Sequence, residues 1–436
     1  MKKIFQFAIC LLAIICMAVT CKKQASPVLV PPPTDTSLVN LIHLNYLYTP
    51  ITFANASNAA AIYIYAEAPD YRLVGDADEG FTCVDDVARA AQVYLRHAKF
   101  STDTTLQNKT FNLLRFIVAM QSDNGYFYNF LFPDMSINRT GSTSINRAEW
   151  WSWRALYTLA EAAPVIRVIN AGVADKIDAA LTKLIATIKT DQVPIPQNTK
   201  MVTGITVPQW LPAGSGTDQA AIIILGLAQY AATHNDAVLK AYIKKLADGL
   251  AMMQQGDATH FPYGAILSWE NTWHAYAADQ PYALMLAGAF LNDASYTAKA
   301  MIMVDNFIPF LLTNGMKSSF VVQNNGSGVS LASEKSFEQI AYGIRPLVAA
   351  AAEAYRITNQ AKYADMAGHL AAWFLGANDA GKQMYSPVTG RGFDGIQSAA
   401  SINVNSGAES TIEALLTMEI VEQYPAIKTA LNKYKK

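Results

Sequence analysis

The sequence predicts an all-α fold, an (α/α)6 toroid of six helical hairpins with inner buried and outer amphipathic helices. Two kinds of helix alternate along the chain, the buried kind recurs at near-regular spacing, and the tryptophans gather in the loops that lead into it. Stretches 87–94, 220–229 (AAIIILGLAQ), 282–291 (YALMLAGAFL), 347–354 and 412–418 are apolar nearly all round, and a helix apolar on every face is buried on every face. Ile177, Leu181, Leu184, Ile185 and Ile188 instead form one stripe opposite Asp178, Lys183 and Lys189, the pattern of a helix with water on one side. Stretches 113–120, 239–253, 296–312 and 362–374 repeat that pattern, with Gly256, Gly315 and Gly376 placed as helix stops.

The buried helices are expected to begin near Asp85, Glu149, Asp218, Trp273, Glu338 and Glu409, at intervals by subtraction of 64, 69, 55, 65 and 71 residues. Six helical hairpins of this size form an internal repeat of architecture. The economical solution is a ring of six inner helices inside six outer ones, with 38–48 closing the circle as the last outer helix. Residues 37–436 then form one domain, the alternative being a two-domain helical solenoid. No strand-like alternation of any length follows Pro33.

Composition sets the bounds. Of 436 residues 52% are hydrophobic and 15% charged, with a net charge of −1, which excludes disorder and removes the electrostatic footprint of a nucleic-acid binder. Lys2 and Lys3 precede an apolar run over 4–19 that is too short for a stable span and right for an export signal. Ala18-Val19-Thr20-Cys21 resembles a bacterial lipoprotein signal, so residues 1–20 are expected to be removed and Cys21 lipidated, with simple secretion as the fallback. Pro27 and Pro31-Pro32-Pro33 make 22–36 a tether from a membrane. Cys10 and Cys16 leave with the signal and Cys83 lacks a partner, so no disulfide or cysteine-based metal framework is available. The expected setting is the cell envelope, as a lipid-anchored monomer.

In such a ring all inner helices start at one end, and their entry loops converge on one mouth. Trp150, Trp151, Trp153, Trp210, Trp269 and Trp273 lie in or beside those loops, which suggests an aromatic cleft suited to the apolar faces of sugar rings. The last loop, within 376–413, is rich in glycine and asparagine and runs into an apolar helix. It is expected to cross the mouth in ordered form, with Asn405 or Ser406 as helix cap and Glu409 in the first helical turn, where the dipole favours a carboxylate.

Candidate chemistry gathers there. GDADEGFTCVDDVARAA brings Asp85 and Asp86 to a buried helix start, where like charges and desolvation raise carboxyl pKa values. Ring closure would face that pair with Glu409, and glycosidic cleavage needs two carboxyl groups, one protonated and one ionised. Glu409 is the candidate acid and Asp86 or Asp85 the base, at the separation an inverting enzyme uses. Trp151, Trp153, Trp210, Trp273, His274, Asp218, Gln219, Tyr126, Tyr342, Arg345 and Asn405 are candidates for holding substrate. Asn124, Tyr128, Asn129, Glu149, Arg154, Asp279, Gln280, Tyr276 and Glu338 are further polar groups of the same loops. Asp76-Ala-Asp78-Glu79-Gly80 has a faint calcium-loop look without the remaining ligands. His260 and His274 lack metal-ligand spacing, and no phosphate or dinucleotide fingerprint is present, so no metal or cofactor is expected.

VDDVARAA near the start and FLGANDAGKQMYSPVTGRGFDGI with NVNSGAEST near the end resemble the six-hairpin glycosidase superfamily. They are similar, more narrowly, to a helical-toroid domain found in bacteria alone or attached to glycosyltransferases. The resemblance covers nearly the whole body from Leu38 and implies an α/α toroid acting on carbohydrate. The layout is also similar to inverting endoglucanases, which place an aspartate pair early and an acid glutamate late after a WFLG-like segment; DDVARA lacks their aspartate-alanine-glycine-aspartate string. A glycoside hydrolase is the expected function. The alternatives are a polysaccharide lyase, with Tyr276 or Tyr342 as base and His274 or Arg345 neutralising a uronate, and a non-catalytic glycan-binding lipoprotein.

Overall fold

The structure, a computed structural model, describes residues 37–436 apart from 54 and 55. The export signal, Cys21 and the tether lie outside the described residues. The helices are α1 (Ile42–Leu47), α2 (Val84–Arg96), α3 (Thr104–Ala119), α4 (Trp150–Ile169), α5 (Ala171–Asp191), α6 (Thr217–Thr233) and α7 (Ala237–Met252). They continue as α8 (Gln280–Leu291), α9 (Ala294–Asn314), α10 (Ala341–Thr358), α11 (Ala361–Ala371), α12 (Ala408–Gln423) and α13 (Pro425–Tyr434). The even-numbered helices pack each on the next, and α12 packs back on α2 to close a ring. Odd-numbered helices from α3 to α13 line its outside, each following its inner partner.

The apolar repeat explains the packing. In α6, Ala220, Ile222, Ile223, Ile224, Leu225 and Leu227 are buried around the whole circumference, because the helix has ring neighbours on both sides and α7 behind it. In α5 the buried set is Val173, Ala174, Ile177, Ala180, Leu181, Leu184, Ile185 and Ile188, a single stripe. Close approach between layers uses glycine: a Cβ on Gly226 of α6 would stand 2.7 Å from the Leu156 side chain and 3.0 Å from the Tyr157 backbone of α4.

Three sequence expectations are corrected. The fourth and fifth inner helices begin at Gln280 and Ala341 rather than near Trp273 and Glu338, because Trp273 lies in a strand and Gln339 bridges to Ile396. Thr272–His274, Ser319–Asn324 and Val329–Lys335 form a three-stranded sheet, and other loops fold into two-stranded hairpins, too short to show alternation. Only Ile42–Leu47 of 38–48 is helical; the last outer position belongs to α13, and the hairpin Tyr48–Phe53/Ala56–Ile62 packs on α3.

The two poles of the ring differ. Only Asn170 separates α4 from α5 and only Tyr424 separates α12 from α13, whereas residues 120–149 lie between α3 and α4. Tight turns thus hold the lower pole, where inner helices end, and long loops dress the upper pole, where they begin. Capping follows the same division. Asp103, Asn170, Asp236 and Asp293 accept backbone N–H bonds at the starts of α3, α5, α7 and α9. Among the described residues, no inner helix is capped by an oxygen of its own N-cap side chain; α2 has only Cys83 Sγ in that place. The starts of six inner helices therefore gather at the upper pole, where their dipoles favour carboxylates.

Candidate active site

At the start of α12 the backbone is held by its neighbours. Gly407 is the N-cap, and its N–H donates to Asp394 Oδ1 at 2.9 Å, as does the Ser410 hydroxyl at 2.6 Å. Asp394 thus serves α12 as a cap from thirteen residues upstream, in place of the Asn405 or Ser406 expected from sequence. Asn405 instead accepts from the Ala68 N–H at 3.0 Å and ties the loop down. The crossing itself is ordered as two short hairpins, Tyr385–Ser386/Arg391–Gly392 and Gly395–Ser398/Ser401–Asn403.

This anchoring turns Glu409 and Glu413, one helical turn apart, toward α2, where Asp85 and Arg89 have the same spacing. Arg89, 2% exposed, is the centre of the site. Its guanidinium meets Asp86 at 2.7 Å, Glu413 at 2.9 Å, Glu409 at 3.2 Å and Asp85 at 3.5 Å. Arg345 of α10 pairs with Glu413 at 2.7 Å and with Asp279 at 2.6 Å. Arg154 of α4 pairs with Asp85 at 2.9 Å and donates to the Tyr342 hydroxyl. Tyr342 lies under all three guanidinium groups, 4.7–5.5 Å from its ring centre. Residues near the starts of α2, α4, α8, α10 and α12 therefore meet at the ring axis.

Five carboxyl groups here face three guanidinium groups, and the excess falls on Glu409. Enclosure in the site, with Asp86, Glu413 and Asp85 nearby and Arg89 opposing them, pushes its carboxyl up to about 7. Its side chain nevertheless keeps 44% exposure, into an upper cavity of about 320 Å³ shared with Asp85, Asp86, Asp394, Asn129 and Tyr65. Burial also raises Asp86 and Asp394. Glu413 goes the other way: burial alone would raise it, but Arg345 and Arg89 pull it down to about 2. The two expected bases separate in kind. Asp86 is 7% exposed, and one Arg89 nitrogen bonds both it, at 2.7 Å, and Glu409, at 3.2 Å, so the two carboxyl groups are held close together. Asp85 keeps 25% side-chain exposure and engages other nitrogens, on Arg154 and Arg89.

No family model and no curated protein matches the chain. Solved structures do. A sugar epimerase from a ruminal bacterium matches with 10% identity over 89% of this chain and 97% of its own, at a TM-score of 0.57. The cellobiose 2-epimerase of Spirochaeta thermophila matches with 12% identity over 90% and 94%, at 0.55. A family 76 glycoside hydrolase from a bovine Bacteroides thetaiotaomicron strain matches with 12% identity over 89% and 79%, at 0.53. The chain shares the (α/α)6 toroid fold of these structures.

Within this six-hairpin ring four of the six tryptophans expected to wall a cleft are packed into the loop layer instead. Trp153 and Trp273 are fully buried, and Trp151 and Trp210 nearly so. Trp151 donates to the Phe127 carbonyl, Trp153 to Gln219 Oε1 and Trp210 to the Lys245 carbonyl, while Trp273 stacks on Phe320. Each indole N–H of the first three is satisfied inside the loop layer, where burying the ring stabilises most. Tyr126 is likewise buried against Trp153, its hydroxyl accepting from Gln192. Gln219 bridges Trp153 and Glu149. His274 contacts Asp218 at 3.0 Å through one ring nitrogen and the Tyr276 carbonyl at 2.9 Å through the other, so both are engaged. Tyr342 and Arg345 belong to the ion network, below the cavity. The aromatic rings exposed on the entry loops are Tyr65, Tyr276 and, of the six tryptophans, Trp269, with half-buried Trp150 6.4 Å from Tyr276. Arg89 and Glu413 were missed as site residues. The available signal was a charge inside an otherwise all-apolar inner helix, as in VDDVARAA and STIEALL.

Proposed function

We propose that the chain is a carbohydrate-active enzyme that hydrolyses a glycosidic bond in the upper cavity, with Glu409 as general acid. The observation that carries this is one carboxyl, held protonated near neutrality, opening into a cavity that other carboxylates share. Asp85 is the better base, because Asp86 is buried and locked to Arg89 while Asp85 retains an open side. A base on water makes the reaction inverting. The sugar epimerases and the family 76 glycoside hydrolase of like fold support a carbohydrate substrate. The exposed rings Tyr65 and Tyr276, with Trp150, suit stacking on sugar faces. The lyase reading is weaker, since burial pushes the Tyr276 and Tyr342 hydroxyls up, away from phenolate, and Arg345 is already doubly paired. The Cys21 lipid anchor and the 22–36 tether would hold this ring, as a monomer, on the cell envelope.

A glycan panel with product analysis tests the assignment. Hydrolysis releases new reducing ends whose first-formed anomer is inverted by NMR, and Glu409→Gln lowers turnover by roughly 10²–10⁴-fold with binding retained. Unsaturated products absorbing at the ultraviolet edge mean a lyase, an epimerised but uncleaved sugar means an isomerising enzyme, and binding without any product by the unmutated protein means a binder.

A further inference from the structure

A second cavity, about 870 Å³, lies on the other side of the Arg89–Arg154–Arg345 layer and reaches the lower pole. All six inner helices contribute to its wall, and Ser37, Lys99 and Gln423 belong to its lining near their ends. Its size falls in the range of small-molecule pockets, and nothing in the hydrolytic reading uses it.

Apart from Lys99, which is exposed at the lower end, the ionic groups of this wall are already matched. Arg96 holds Glu161 through two bonds of 2.7 Å, with Tyr157 and Gln92 completing the group. Glu353 is held through two bonds of 2.7 Å by Arg356, and Glu422 pairs with Lys428 at 3.0 Å. Glu419 of α12 stands apart. Both its carboxylate oxygens are sequestered without a hydrogen-bond partner among the described residues, and burial, with Glu161 adding to it and Arg96 opposing, holds its carboxyl well above the usual range. Such a group is a neutral donor and acceptor left unsatisfied, which native structures seldom retain without a reason. The rings of Tyr157, Tyr282 and Tyr424 belong to the same lining.

Inside the cavity, away from Lys99, matched ions repel neither sign of ligand charge but offer no spare counter-charge, so an anion or cation beside Glu419 would enter unpaired. A neutral molecule with many hydroxyls and an apolar face meets both the orphan carboxyl and the phenol rings. We infer that the lower cavity is a second carbohydrate site, which takes a neutral di- or trisaccharide with Glu419 as its central hydrogen-bonding group. This site is separate from the upper cavity and does not depend on hydrolysis there.

Titration calorimetry on the purified Glu409→Gln protein, with cellobiose, maltose and β-1,4-mannobiose as probes and cellobionic acid and glucosamine as charged controls, tests this. At least one neutral disaccharide is expected to bind, the charged controls not, and adding Glu419→Leu is expected to weaken that binding roughly tenfold or more. The leucine variant should melt no lower than its parent, because an unpaired polar group is replaced by an apolar one, which separates lost binding from lost folding. Crystals soaked with the binding disaccharide should show it against Glu419 and Tyr282; this decides the matter if the variant fails to fold. No binding by any probe, an unchanged isotherm in Glu419→Leu, or water alone beside Glu419 in the soaked crystal overturns the inference.

Discussion

Arg89 is a cation that four carboxylates compete for, so the loss of any one changes the others. Glu413 is its most deeply buried partner and also holds Arg345. Replacing it by glutamine leaves two guanidinium groups short of charge, and a loss of about 3–5 kcal/mol is expected, read from the denaturant midpoint. Because the folded-state carboxyl sits near 2 against 4.5 for the free side chain, Glu413 contributes stability above pH 4.5, and that contribution is lost as pH falls toward 2. Glu409 has the opposite sign. Its carboxyl near 7 keeps a proton that the unfolded chain gives up near 4.5, so its share of stability declines as pH rises between those values. If it is the acid, kcat should fall as pH rises through about 7, and a rate that instead climbs over that interval would remove Glu409 from the role. At this scale the sequence was partly legible. Asp85, Asp86 and Glu409 stood out because acids at buried helix starts are costly. Four of the six tryptophans misled because a large indole near a helix start reads the same whether it faces a cleft or plugs the wall.

The α11–α13 pair shows what the element scale adds. A Cβ on Gly368 would lie 2.4 Å from Ala430 Cβ and 2.5 Å from the Leu431 nitrogen, so glycine is what lets the last outer helix seat on its neighbour. Gly368→Val should push α13 away at a cost of about 1–3 kcal/mol, seen as a lower melting temperature together with faster proteolysis within 425–436. Ten residues carrying only Ile427, Ala430 and Leu431 as a buried stripe make too short a pattern to distinguish from a tail. That is why segment 38–48 looked like the better candidate for the closing position. At the other end of the ring, Asp394→Asn keeps an acceptor for Gly407 and Ser410 but Asp394→Ala removes it, and the alanine should cost about 1 kcal/mol as a lost cap. Inner helices were readable from their uninterrupted apolar faces. The short strands of the loops were not, since strands of two to seven residues are fixed by partners distant in sequence.

For the whole molecule the closed ring is the controlling fact. Each inner helix buries both flanks against ring neighbours, so a cut anywhere exposes two apolar flanks. Separately expressed halves divided in the loop 253–279 are expected to aggregate or stay unstructured by circular dichroism and size exclusion. A folded, monomeric half would contradict the mutual dependence of the hairpins. This architecture was the most legible property of the sequence because it rests on burial summed over many residues. The ion layer at the axis was the least legible, because Arg89 reaches Glu409 and Glu413 only once closure brings α12 to α2.

Arg89 and Glu413 are 324 positions apart. A ribosome adding about 5–20 residues each second therefore leaves the early aspartates and Arg89 without their late partners for about 15 to 65 seconds. Through that interval a strongly charged patch and several greasy helices are loose in the same nascent chain, which needs a chaperone or an unfolded passage to survive. Any product lost to premature termination before α12 can have neither the acid nor the layer that tunes it, so reactivity appears only in chains that were finished.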